Sequence, residues 1–228
     1  GATEAEYFIA DDPGLGNGAT MMLDLSTIST QFGTDFGTGV YKISARAQDQ
    51  AGNWSMAQSD FLVVYDASSG VRFRGARSLS LVSEGNQLPW VTVPTQSTGK
   101  FAFSVRYGND GAITKHSDFQ FAYKPGDKCY HHRLANNCHN FELNSTRIAW
   151  LTTSGVNQSL GTFSGDGVLT MDKQSQPVRF VVHGVDGERM SPFDEDQFSL
   201  TIYASMASEP MYFVAPTNLK RGDIKIRF

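Results

Sequence analysis

The sequence predicts an all-β protein built from two consecutive antiparallel β-sandwich-like modules. Short runs of alternating apolar and polar residues recur along the whole chain, separated by Gly, Asn, Asp and Pro. This period-two pattern is typical of half-buried antiparallel strands. The composition agrees: the 228 residues include 22 glycines and 16 phenylalanines, and only 18% are charged, whereas helical proteins are rich in Ala, Glu, Lys and Leu.

The predicted strands follow one another at short spacing. Within each run one set of side chains shares a face, as Phe101, Phe103 and Val105 do. Only "LDLSTISTQF" could form a helical turn or two, and its Ser and Thr content disfavours a longer helix. The runs are EAEYFIA, VYKISARAQD, DFLVVYD, FAFSVRY, DFQFAYK, RIAWLTT, GVLTMD, VRFVVHGV, QFSLTIYA, MYFVA and DIKIRF.

The small polar stretch "ASSG" at residues 67–70 predicts a junction between two modules, 1–66 and 71–228. The first module is short for a seven-stranded sandwich, so we expect it to have open edges. The last run, "RGDIKIRF", alternates Ile224, Ile226 and Phe228. We expect this run to close its own module rather than to extend the edge of a neighbour, since sequential strands usually pair locally.

Charge and hydropathy exclude two classes of partner. The formal net charge is −4, and no basic segment offers a footprint for nucleic acid. No apolar run approaches the ~18 residues that cross a bilayer, so we expect no membrane insertion. Glycosylation sequons begin at Asn53, Asn144 and Asn157, but such triplets are common by chance, and whether they are used stays open.

Two sets of motifs resemble modules of large bacterial extracellular proteins. "AEYFIADDPGLGNG" and "GVYKISARAQDQAGNWS" resemble an immunoglobulin- or fibronectin-like module, although Ala10 and Asp11 stand where that family more often has Asp and a variable residue. "VVYDASSGVRFRGARSL", "GKFAFSVRYGNDG" and "DEDQFSLTIY" resemble a β-rich module of the post-COAP type. The resemblance implies an extracellular or cell-surface protein with a non-catalytic structural, adhesive or assembly role. Its partners would be other modules of the same parent protein or neighbouring subunits.

Both cysteines flank one polar segment, "KCYHHRLANNCHN", which lengthens a connection between two strands. A zinc site would need Cys129, Cys138 and two of His131, His132 and His139, yet the spacing lacks the close Cys pairs of zinc motifs. A disulfide between Cys129 and Cys138 needs only an oxidising compartment, which the family resemblance implies. We expect the disulfide, worth roughly 2.7 kcal/mol by loop closure.

The loop "VDGERMSPFDEDQF" contains a cluster of carboxylates between two predicted strands, including Asp186, Asp194, Glu195 and Asp196. Calcium prefers oxygen ligands of this kind. More commonly, such residues form solvated turns in which Asp side chains cap backbone amides. Both interpretations stay open; no cofactor is required, and Ca²⁺ is the ion that this loop would bind.

Nothing in the sequence indicates an enzyme. There is no G-x-S-x-G motif for a serine nucleophile, and a glycosidase needs two acids on opposite sides of a cleft, which one acidic turn cannot supply. The rival hypothesis is a carbohydrate-binding accessory module of a secreted enzyme. Trp90, beside Pro89, is the only tryptophan that we consider a candidate for an exposed sugar-stacking ring, because Trp150 lies in an apolar run.

Overall fold

The computed structural model describes residues 1–24, 27–31, 36–66, 70–81, 97–125, 139–191, 194–205, 207, 209–219 and 224–228. Within these residues the chain divides into two compact units, Gly1–Val64 and Tyr65–Phe228, called unit 1 and unit 2 below.

Unit 1 contains a four-stranded antiparallel sheet and a separate two-stranded ribbon. The sheet has the order β2-β1-β5-β6, and the ribbon pairs β3 with β4. The ribbon occupies part of "LDLSTISTQF", the one stretch that could have formed a helical turn: Met22, Leu23 and Asp24 pair with Ser29, Ile28 and Thr27. The strands are β1 (Ala2–Ile9), β2 (Ala19–Thr20), β3 (Met22–Asp24), β4 (Thr27–Ser29), β5 (Gly39–Asp49) and β6 (Gln58–Val64).

Unit 2 contains one nine-stranded antiparallel sheet with the order β14-β13-β12-β11-β10-β9-β8-β7-β15. Neighbours in this sheet are consecutive in the chain except at β15. A 3-10 turn, Val156–Gln158, and a one-turn helix α1, Gly187–Met190, lie in two of its connections. The strands are β7 (Arg72–Leu81), β8 (Ser97–Arg106), β9 (Asp118–Lys124), β10 (Phe141–Ser154), β11 (Leu160–Met171), β12 (Gln174–Val185), β13 (Asp196–Ala204), β14 (Pro210–Leu219) and β15 (Ile224–Arg227).

The large sheet curls around an aromatic core. The rings of Phe101 on β8 and Phe198 on β13 stack with centroids 4.1 Å apart. These strands are five positions apart in the sheet, so a flat sheet would separate them by roughly 24 Å. Their contact therefore requires the sheet to fold back on itself, with the alternating Phe side chains predicted from the sequence on its inner face.

Two glycines make room for one ring in this core. Gly161 and Gly184 face each other on β11 and β12, and a Cβ on either would lie 2.7 Å from the ring of Phe73. Phe73 is fully buried. Its ring therefore packs directly on the backbone of two strands, which is possible only because both positions lack a side chain.

The last strand closes its own unit. β15 pairs antiparallel with β7, with Ile224 opposite Gly75 and Ile226 opposite Phe73. Both isoleucines are buried. The expectation for the terminal run is thus confirmed, as is the predicted antiparallel, all-β, sandwich-like architecture. No helix among the described residues is long and apolar enough to cross a membrane.

Candidate functional site

The predicted site residues fall into three groups. Trp90, Cys129 and Cys138 lie outside the described residues, so the exposed tryptophan and the disulfide stay predictions. His139, a candidate zinc ligand, contacts the carboxylate of Asp172 through Nδ1. The acidic residues of the 186–196 loop are described except at 192–193.

The structure divides the four predicted calcium ligands into two pairs. Asp186 and Asp196 are buried, whereas Asp194 and Glu195 are exposed. Among the described residues, no group of three or more His, Cys, Asp or Glu side chains is arranged to hold a metal ion. Calcium binding at this loop stays a prediction.

The two buried aspartates bind the free edge of β15. Asp196 accepts hydrogen bonds from the backbone N–H of Gly187 at 2.8 Å and of Ile224 at 2.6 Å. Asp186 Oδ2 accepts one from the N–H of Ile226 at 2.9 Å. Arg189 donates to the carbonyl oxygen of Ile226 at 3.2 Å. These side chains thus take the place of a neighbouring strand on the side of β15 away from β7.

Burial changes the ionisation of Asp196. Burial raises the pKa of Asp196, and the nearby Asp186 raises it further, although the N–H groups of Ile224 and Gly187 act in the opposite direction. Asp186 Oδ1 is buried, and no hydrogen bond from the described residues reaches it. The other oxygen of this carboxylate, Oδ2, is the one that binds β15.

Unit 1 contains a buried ion pair that the sequence analysis did not identify. Glu6 on β1 and Arg46 on β5 are directly opposite in the sheet. Arg46 Nε donates to Glu6 Oε1 at 2.6 Å, and Nη1 donates to Asp12 Oδ2 at 2.9 Å. The guanidinium also lies 5.1 Å from the ring centroid of Phe8 and 5.7 Å from that of Trp54, within cation–π range.

The same charged groups bind the "DDPGLGNG" loop. Glu6 accepts hydrogen bonds from the N–H of Gly16 at 3.1 Å and of Gly18 at 2.6 Å. Arg46 Nη2 donates to the carbonyl oxygen of Gly14 at 2.6 Å. Gly14 has φ +91° and Gly16 has φ +74°, a backbone conformation that glycine adopts without strain. The motif therefore encodes a loop that wraps over the ion pair.

These contacts shift the ionisation of both acids in the same direction. Burial alone would raise the pKa of Glu6, but the hydrogen bonds from Arg46, Gly18 and Gly16 outweigh it and hold the pKa below the ordinary 4.5. The N–H of Gly14, followed by Arg46, lowers the pKa of Asp12. The carboxylates are thus stabilised in their charged form.

A second turn of unit 1, "DQAGN", also uses its acid to bind backbone N–H groups. Asp49 Oδ1 accepts hydrogen bonds from the N–H of Ala51 at 2.8 Å and of Asn53 at 2.9 Å. The N–H and side-chain amide of Asn53 lower the pKa of Asp49. The amide of Asn53 thus lies against a carboxylate at 3.2 Å. These are the hydrogen bonds of a capped turn.

One pair in unit 2 has the spacing of a nucleophile and a base. Thr162 Oγ1 lies 2.9 Å from His183 Nδ1 on the neighbouring strand, and burial lowers the pKa of His183. Among the described residues, no carboxylate is hydrogen-bonded to the other ring nitrogen of His183. The pair lacks the third group that orients the base in a catalytic triad, and a cross-strand hydrogen bond accounts for it.

The two glycosylation sequons of unit 2, which begin at Asn144 and Asn157, lie in a strand and in a turn. Asn144 is exposed in the middle of β10, and Asn157 lies in the 3-10 turn with φ 51°. Asn157 exchanges two hydrogen bonds with Arg189, from its side chain to the Arg189 carbonyl oxygen and from Arg189 Nε to its own. The turn and helix α1 are thus linked.

Comparisons with known proteins add nothing to this geometry. No protein-family model, curated protein or solved structure matches the chain.

Pairing explains why the sequence analysis missed the Glu6–Arg46 site. Each residue reads as an ordinary polar position in an alternating strand, and 39 residues separate them in the sequence. The signal was present in the loop: "DPGLGNG" has three glycines, and the N–H groups of two of them, Gly16 and Gly18, bind Glu6. A glycine-rich loop that follows a strand with an internal acid indicates backbone N–H groups that converge on that acid.

Proposed function

We propose that this chain is a non-catalytic structural segment of an extracellular or cell-surface protein, which serves adhesion or assembly. The observation that carries the proposal is the use of its buried charges. Glu6, Arg46, Asp186 and Asp196 all bind backbone groups of their own unit. Buried charged groups that hold loops and strand edges contribute to a defined shape, and this is what a scaffold or adhesive module requires.

The resemblance of the sequence to modules of bacterial surface proteins supports the location and the partners. The partners would be other modules of the same parent protein or neighbouring subunits. The two compact units, joined at residues 64–65, suit a tandem array of modules.

An activity screen tests the non-catalytic part of the proposal. The whole chain should hydrolyse chromogenic glycosides, esters, phosphates and peptides no faster than buffer does. The Thr162–His183 pair is the arrangement to challenge, so His183→Ala serves as the control variant. Turnover by the wild type that His183→Ala abolishes would show that the chain is an enzyme.

The second candidate function is carbohydrate binding. A shallow depression of about 240 Å³ on the outer face of β8, β9 and β10 favours it. Exposed Lys100, Gln120, Glu142 and Asn144 surround Ala102 and Ala122 there. A glycan array with the whole chain separates two sites: binding lost in Trp90→Ala places the ligand at the predicted tryptophan, and binding lost in Gln120→Ala places it on this face.

A further inference from the structure

Four arginines of unit 2 form a cluster on the outer face of β15, β7 and β8. Arg227, Arg72 and Arg106 occupy one continuous row across these strands, since Arg227 is opposite Arg72 and Arg72 is opposite Arg106. Arg74 lies two residues along β7 from Arg72, on the same face. All four side chains are exposed, and they are called the arginine patch below.

The spacing of the sheet places these charges close together. Adjacent strands are roughly 4.8 Å apart and residues i and i+2 roughly 6.8 Å apart, so the patch measures roughly 10 by 7 Å. Like charges directly opposite each other on neighbouring strands are destabilising, and Arg72 has an arginine on both sides. Repulsion within the arginine patch thus destabilises the fold locally, although the protein as a whole has a net charge of −4.

In the part of the chain that the structure describes, acidic side chains do not neutralise the patch. Among the described residues, neither Arg72, Arg74, Arg106 nor Arg227 forms an ion pair. Lys225, the cation opposite Arg74, is paired with Glu188 at 2.6 Å. The four guanidinium groups therefore remain available to an external anion.

The polar depression described above continues from this patch on the same face. Moving along the strands, the next row contains Ser104 and Asp118, which are opposite each other, and the row after it contains Ala102 and Gln120. Lys100 and Glu142 border the far side. From Arg72 to Lys100 the surface extends three side-chain repeats, or roughly 20 Å.

We propose that this face binds an acidic polysaccharide, with the arginine patch contacting its carboxylate or sulfate groups. Guanidinium groups bind such oxyanions through paired hydrogen bonds. The amide and carboxylate side chains of the depression suit sugar hydroxyls, which both donate and accept.

The inference rests on the proposed adhesive role and names its ligand. Binding of the whole chain to polygalacturonate, which carries carboxylates, and to dextran sulfate is measured against neutral dextran and duplex DNA. At least one acidic polysaccharide should bind, the neutral one should not, and raising salt from roughly 0.05 M to 0.5 M should weaken binding. Which of the two binds identifies the anionic group.

Two single variants locate the site. Arg72→Ser should weaken binding roughly tenfold, the loss of one charge-assisted contact. Arg147→Ser is the matched control, since Arg147 is also exposed but lies on β10 opposite Asp166, and it should bind as the wild type does. Without ligand, Arg72→Ser should melt no lower than the wild type, because the substitution removes like-charge repulsion.

Several results would overturn the inference. They are binding of neither acidic polysaccharide, equal loss in Arg72→Ser and Arg147→Ser, tighter binding of duplex DNA, and a lower melting temperature for Arg72→Ser. Each leaves the proposed non-catalytic role standing, because that role is contradicted by turnover in the activity screen and not by loss of polysaccharide binding.

Discussion

The two units of this chain stabilise their sheets with different buried interactions. In unit 2 the buried side chains are largely aromatic and aliphatic, and rings such as Phe101 and Phe198 stack across a curled sheet. In unit 1, among the described residues, Ala5 is the one buried apolar side chain, while Glu6 and Arg46 are buried with it. Unit 1 is therefore organised around a charged network and unit 2 around an apolar core.

This difference follows from size. A sheet of four strands with short flanking segments offers little apolar surface to bury, and small domains commonly need additional interactions. The Arg46 guanidinium supplies them by binding Glu6, Asp12 and the Gly14 carbonyl oxygen at once. The long curled sheet of unit 2 buries its inner face by aromatic and aliphatic packing, and its buried charges bind the edge of β15. In unit 1 the charged network around Arg46, covered by the glycine-rich loop, therefore has the stabilising role that the apolar core has in unit 2.

Removal of one core ring should have the largest effect, and it should be confined to unit 2. Phe73 is fully buried and packs on the backbone of Gly161 and Gly184, where neighbouring side chains cannot fill the space left behind. Phe73→Ala should lower the free energy of unfolding by about 4 kcal/mol. Chemical denaturation checks this, with Ser78→Ala, an exposed position on the same strand, as the control. A loss under 1 kcal/mol would contradict the apolar account of unit 2.

Loss of the hydrogen bonds that Asp196 accepts should have the next largest effect on stability. Asp196→Ala leaves the N–H groups of Gly187 and Ile224 without their acceptor, which should cost about 3 kcal/mol for two buried donors. Asp194→Ala is the control, since Asp194 is exposed in the same loop, and should change stability little. Equal losses in the two variants would show that the loop, and not the buried carboxylate, secures the strand.

Calcium should give the smallest effect. If the loop holds the ion with a Kd near ~1 mM, then ~10 mM free calcium stabilises unit 2 by about 1.4 kcal/mol. Thermal melts in calcium and in chelator measure it, and Asp194→Ala and Asp196→Ala should both remove the shift. Unchanged melting of the wild type would leave Asp186 and Asp196 as purely structural groups.

Much of the fold was predictable, but pairs of residues distant in sequence were not. The alternation of Phe101, Phe103 and Val105 identifies a half-buried strand and its inner face, because period two is a local property. The pairing of Glu6 with Arg46, and the row formed by Arg227, Arg72 and Arg106, depend on which strands become neighbours and in which register. The alternation of residues within one strand specifies neither its neighbouring strands nor its register.

The acidic loop shows the same limit at short range. Asp186, Asp194, Glu195 and Asp196 look equivalent in the sequence, and a calcium hypothesis treats them as one set. The structure separates them, because Asp186 and Asp196 accept hydrogen bonds from N–H groups of β15 that lie 40 and 28 residues further along the chain. Solvent exposure of the remaining pair could not be deduced from composition.

The central claim is that ionised Glu6 stabilises unit 1, and the pH dependence of one substitution tests it most directly. The pKa of Glu6 lies below the ordinary 4.5. Its contribution should therefore be complete above pH 4.5 and should be lost as pH falls through the lowered pKa. Glu6→Gln keeps the shape of the side chain and removes the charge; Glu4→Gln, exposed on the same strand, is the control.

Amide hydrogen exchange of the whole chain, corrected for the intrinsic exchange rate, measures opening of β1 and β5 in wild type and variants. At pH 7 Glu6→Gln should lower the opening free energy of these strands by about 2 kcal/mol, the value of a charged hydrogen bond. The difference from wild type should shrink towards zero as pH falls below the lowered pKa, while β8 and β13 stay unaffected by the substitution. An equal difference at neutral and acid pH, or none at either, would contradict the account.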